Sequence, residues 1–123
     1  MEKLIGRTPL KISVNGTEDE IYMEFSDGSY CKFWHEQDCC ENVSIESVVG
    51  DFNELLGHPF LVADCNSNRE DDGGYETTTW TFYTFRSIGG CVDVRWCGTS
   101  NGYYSERVSY ALYDKDGKVL ERD

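Results

Sequence analysis

The stretch Thr77–Cys97, TTTWTFYTFRSIGGCVDVRWC, decides the fold. β-Branched and aromatic residues crowd both sides of Gly89-Gly90, and a glycine pair between two such runs marks a tight hairpin. On the second arm Val92, Val94 and Trp96 alternate with Asp93, Arg95 and Cys97, so one face is apolar and the other polar. On the first arm Trp80 and Phe82 share one face while Tyr83 and Phe85 share the other. A strand apolar on both faces is expected to be central and buried. Strands are therefore predicted over 77–87 and 90–98.

Outward from this hairpin the same punctuation recurs. Asn15-Gly16, Asp27-Gly28, Asn101-Gly102 and Asp116-Gly117 supply residues that tolerate the positive φ of hairpin turns. Between them, strands are expected near 10–14, 20–26, 29–35, 59–64, 105–113 and 118–121. Ile21, Met23 and Phe25 fall in phase on one face, as do Val108, Tyr110 and Leu112. The expected fold class is mainly β, an antiparallel β meander of about seven or eight short strands with one short helix. The helix belongs to 44–57, SIESVVGDFNELLG, where Val48, Val49, Phe52, Leu55 and Leu56 fit an apolar stripe. Gly50 interrupts that stripe, Gly57 can cap its end and Pro59 stops it. Two short turns, or one helix after Gly50, satisfy the same pattern. The segment 65–76, CNSNREDDGGYE, is polar and acidic and reads as an exposed loop. No linker or repeat divides the chain, so 1–123 is expected to be a single domain. One bent sheet and two packed layers are equally compatible with the pattern.

The charge balance is extreme: 11 basic residues against 23 acidic ones leave a formal net charge of −12. Such a surface repels nucleic acid and anionic membranes and attracts basic proteins. The carboxylates expected to meet a partner are Glu18, Asp19 and Glu20 at the first turn, and Glu70, Asp71 and Asp72 in the long loop. The opening MEKLIGRTPLKI has no signal-peptide core and no stretch approaches a membrane span, so a cytoplasmic location is expected. There, 6 cysteines point to free thiols or metal ligation rather than a disulfide framework.

His35-Glu36-Gln37-Asp38-Cys39-Cys40-Glu41 holds the densest chemistry. Imidazole and thiolate are the usual ligands of zinc, and a turn between His35 and Cys39 lets both converge. The fourth donor of a closed site is open: Cys65 ends the 59–64 strand, Cys97 lies opposite the aliphatic face of its own strand, and Glu36, Asp38 and Glu41 carry oxygen donors. His58, before Pro59, reads as a turn residue. Catalysis is not expected, because Glu36, Asp38 and Glu41 around Cys39 and Cys40 suppress the thiolate a nucleophile needs.

The runs YCKFWHEQDCCENVSIESVVGDFNELLGHPFLVAD and TTTWTFYTFRSIGGCVDVRWCGTSNGYYSERV, with the acidic loop between them, resemble a family of small phage and prophage proteins. In size, acidity and cysteine–histidine content the chain is similar to zinc-containing phage inhibitors of the CRISPR nuclease Cas9. That resemblance implies an anti-CRISPR protein that binds the recognition lobe of Cas9, whose basic channel cradles the guide–target heteroduplex, and blocks DNA loading. It also implies a structural zinc ion on His35, Cys39 and Cys40, with Cys65 where the family pattern has Glu, and Cys97 where it has Tyr. Two other functions fit the same residues: a phage accessory protein that binds another host factor, and a zinc-dependent hydrolase.

Overall fold

The computed structural model describes residues 1–71, 76–102 and 104–123. The chain order is β1 (Pro9–Val14), β2 (Glu20–Phe25), β3 (Tyr30–Trp34), β4 (Asn42–Val49), β5 (Val62–Asp71), β6 (Thr77–Ser87), β7 (Gly90–Ser100), β8 (Ser109–Tyr113) and β9 (Val119–Arg122). All pairings are antiparallel. They make a five-stranded sheet, ordered β1-β2-β3-β8-β9, and a four-stranded sheet, ordered β4-β7-β6-β5. The fold is mainly β, as the sequence indicates, and it is built in two layers.

The alternating residues named above line the interface between those layers. Ile21, Met23, Phe25, Cys31, Phe33, Tyr110 and Leu112 of the first sheet are buried, as are Val43, Ile45, Ala63, Tyr83, Phe85, Val92, Val94 and Trp96 of the second. Phe33 joins the layers: its ring stacks on Tyr110 at 5.1 Å and meets Tyr83 and Phe85 edge-on at 4.8 and 5.6 Å. Fully burying such a side chain contributes about 1.5–3 kcal/mol.

Three expectations need correction. The 44–57 segment is not helical: its first part is β4, with Val43 and Ile45 facing the core opposite Gly98 and Trp96 of β7. β7 offers an open edge whose backbone groups need partners, and the β-branched residues of 43–49 suit a strand that satisfies them. Gly50, at φ +106°, then turns the chain into a single 3-10 turn, Phe52–Glu54, capped where Asn53 N–H donates to the Asp51 side chain at 2.9 Å. No α-helix occurs among the described residues, and none of their helices is long and apolar enough to cross a membrane.

The polar segment 65–71 is not a loop either. It forms the distal part of β5, paired with β6 in continuous register from Val62↔Arg86 to Asp71↔Thr77. Finally, β6 is interior to its sheet but not buried on both sides. Tyr83 and Phe85 face the core, whereas Phe82 is 39% exposed on the outer face. There Trp80 lies under Arg95, with the guanidinium 5.2 Å from the ring centroid.

The two sheets differ in length. β6 and β7 have 11 residues each and β5 has 10, while the strands of the first sheet have 4 to 6. At about 3.3 Å per residue, the longer strands overhang the shorter layer. Beyond Tyr83, inward positions of β5 and β6 carry Cys65, Ser67, Arg69, Thr79 and Thr81 instead of hydrocarbon.

Candidate functional site

The His35–Glu41 turn follows β3, whose alternation sends His35 to the same side as Cys31 and Phe33. Both ring nitrogens of His35 face oxygen acceptors. Nδ1 donates to the Arg107 carbonyl at 2.7 Å, and Nε2 lies 2.9 Å from the Glu41 carboxylate. Glu41 also accepts from the backbone N–H of Asp38 at 2.5 Å and of Cys39 at 3.1 Å. The Asp38 N–H is the largest of several donors that together hold the Glu41 carboxyl down to about 2, against the opposing effect of desolvation. Gln37 closes the turn by donating to the Glu41 carbonyl at 2.8 Å.

This turn brings together three of the four expected metal ligands but engages each with the protein. Cys39 and Cys40 are joined to one another by a disulfide, and the His35 ring has no free nitrogen. Cys65 belongs to β5, and Cys97 points to the outer side of β7. Among the described residues no three His, Cys, Asp or Glu side chains are grouped to hold a metal ion. What the turn does hold is the backbone of residue 107.

That backbone is the wall of a cleft of about 540 Å³ at the overhanging end of the sandwich. Its floor is the inner face of β5 and β6, with Cys65, Ser67, Arg69, Thr79 and Thr81, and that wall extends over the segment 104–108 with Asp123. Besides the His35 bond to the Arg107 carbonyl, contacts to Ser100 and Asp123 pin this segment, and a bond within it shapes its turn. Ser100 Oγ donates to the Tyr104 carbonyl at 3.1 Å, and Arg107 N–H donates to Ser105 Oγ at 3.2 Å. Arg107 pairs with Asp123 at 3.6 Å, and Asp123 in turn accepts from Tyr110 N–H at 2.9 Å. Glu106 lies directly over Gly98, so closely that a Cβ on Gly98 would be 2.6 Å from the Glu106 Cβ.

Glu106 is only 5% exposed, and its Oε1 has no hydrogen-bond partner; Tyr83 Oη and Trp96 Nε1 are likewise buried without one. Tyr83 and Trp96 face the core from adjacent strands, and Gly98 continues the Trp96 row toward the cleft. Burial pushes the Cys65 thiol up, with the Tyr83 hydroxyl beside it acting in the opposite direction. No residue pattern marks Glu106 in advance. The one available sign was polar alternation at 65–69 facing a threonine run at 77–81, which marks a strand pair with a wet inner face.

The expected partner-binding carboxylates lie in two places. Glu18 and Asp19 are exposed in the β1–β2 turn, and Glu20 opens β2. Asp19 is tied into that turn by Asn15 and by Thr17, whose hydroxyl donates at 2.8 Å; these two bonds, Asn15 first, lower its carboxyl. Glu70 and Asp71 are exposed at the end of β5, and Asp72 lies outside the described residues.

Fold and site together define a two-layer antiparallel β-sandwich with an open polar cleft at one end. Residues 2–110 match the model of a family described as a domain of unknown function (DUF7448), and the chain belongs to that family. No curated protein and no solved structure matches it.

Proposed function

We propose that this protein is a non-catalytic binding module that docks on a strongly basic protein surface in the cytoplasm, and that guide-loaded Cas9 is the partner. The observation that carries the docking part is the net charge of −12 on a small β-sandwich, with Glu18, Glu70 and Asp71 exposed at turns and strand ends. Carboxylates presented this way can occupy sites shaped for phosphates and accelerate encounter with a basic partner. A non-catalytic role accords with the thiols: burial pushes Cys31, Cys65 and Cys97 up, away from the nucleophilic thiolate. The choice of Cas9 rests on the resemblance described above.

The test is target-DNA binding and cleavage by guide-loaded Cas9 with the protein titrated in. Loss of both at near-stoichiometric protein, relieved by salt, is the expected result. Unimpaired DNA binding across several streptococcal Cas9 proteins overturns the choice of partner. Charge reversal at Glu18 and Glu20, or at Glu70 and Asp71, should weaken binding; indifference to both overturns the electrostatic basis. A zinc ion on His35, Cys39 and Cys40 would require the disulfide to open and the ring to leave Glu41. Metal analysis of protein purified under reducing conditions tests that centre.

A further inference from the structure

Two opposite charges line the cleft without an ion-pair partner among the described residues. Arg107 and Asp123 are held by each other. Arg69 lines the floor and makes no ion pair among the described residues, and Glu106 is buried with Oε1 unpartnered. A carboxylate only accepts hydrogen bonds, so what Glu106 lacks is a donor, and an ammonium is the strongest one available. Leaving such a buried group unpaired costs about 1–3 kcal/mol or more. The guanidinium of Arg69, exposed in the cleft lining, offers paired donors that match a carboxylate.

Register places these two charges on one row. Arg69 of β5 pairs with Thr79 of β6, Thr79 pairs with Gly98 of β7, and Glu106 covers Gly98. Arg69 and Gly98 are therefore two strand spacings apart, about 9–10 Å at the backbone. Hydroxyls of Ser67, Thr79, Thr81 and Ser105 line the space around that row. The volume of about 540 Å³ falls in the range of small-molecule sites, and the polar lining suits a ligand that is itself polar throughout.

We propose that the cleft binds a small zwitterion of the α-amino-acid class, its ammonium on Glu106 and its carboxylate on Arg69. A free phosphate would meet the Glu106 carboxylate, and a simple cation would meet Arg69; a zwitterion satisfies both ends. The proposal is independent of the docking surface, which uses the exposed carboxylates.

The experiment is ¹⁵N–¹H correlation spectroscopy of the full chain, with proteinogenic L-amino acids added singly, and n-propylamine and propionate as single-charge probes. At least one amino acid is expected to shift the amides of Ser67, Thr79, Thr81 and Glu106 saturably, with both single-charge probes about tenfold weaker or worse. Glu106→Gln and Arg69→Gln should each weaken the amino acid about tenfold. Arg69 is exposed at the end of a strand, so its variant reports on binding even if Glu106→Gln disturbs folding. No shift with any amino acid, as when bound water alone satisfies Glu106, overturns the proposal. Equal binding of n-propylamine, or unchanged binding in Arg69→Gln, also overturns it.

Discussion

Replacing Gly98 by alanine tests whether the cleft wall rests on β7 as described. The new Cβ would lie 2.6 Å from the Glu106 Cβ, 3.0 Å from the Glu106 carbonyl oxygen and 3.1 Å from a Val43 methyl. Ordinary carbon contacts begin near 3.4 Å, so the 104–108 segment must rise by most of an ångström. It cannot do so freely, because Ser100, His35 and Asp123 hold it. Overpacking of this kind costs about 1–3 kcal/mol. For a chain of this length each kcal/mol lowers Tm by about 4 °C, which predicts a fall of about 4–12 °C. Gly16→Ala is the control, since its Cβ meets nothing within 4 Å and its effect should stay within about 0.5 kcal/mol. Thermal unfolding followed by circular dichroism reads both variants. If Gly98→Ala melts with Gly16→Ala and leaves the Glu106 amide signal in place, the segment does not rest on β7.

Phe33→Ala should cost about 3–5 kcal/mol in urea unfolding, because it removes the ring that contacts Tyr83, Phe85 and Tyr110 together; a loss below about 1 kcal/mol would put Phe33 outside the interlayer core. The Glu41 carboxyl is held at about 2, below its ordinary 4.5, so its contribution to stability is complete above about 4.5 and drains away as the pH falls toward 2. Glu41→Gln should flatten the stability profile in that acid window, and parallel profiles for the two proteins would contradict the assignment. Iodoacetamide on the native protein should modify exposed Cys65 early and Cys31 last, because Cys31 is fully buried and burial pushes its thiol up; prompt labelling of Cys31 would show that β3 does not face the core.

The hairpin of β6 and β7 was legible because glycine punctuation and residue alternation agree there. Val92, Val94 and Trp96 all face inward, and Ile21, Met23 and Phe25 follow the same rule. β4 is hidden in the sequence because Val48, Val49, Phe52, Leu55 and Leu56 match a helical stripe, although Val43 and Ile45 carry the two-residue period of a strand. β5 is hidden for a different reason. Cys65, Ser67 and Arg69 face a cleft rather than hydrocarbon, so the strand lacks the apolar signal by which strands are recognised. The His35–Glu41 turn was noticed for its residue types, but the partners that fix their roles were out of view. Arg107, whose carbonyl accepts the hydrogen bond from His35, lies 72 positions away. Glu106 escaped notice because only the crossing of the chain over Gly98 makes its carboxylate unusual.

The overhang of the four-stranded sheet divides β5 and β6 into stretches that answer to different selective demands. From Ala63 and Tyr83 to the Phe85 end, each inward residue is packed between layers, and substitution there is a loss of stability. From Cys65 to Arg69 the inward side of β5 is exposed and, with Thr79 and the buried Thr81 of β6, lines the cleft, while the backbone ladder is anchored by the packed half. If the cleft binds as proposed, exchanges among polar residues on that ledge change its ligand and leave the core intact.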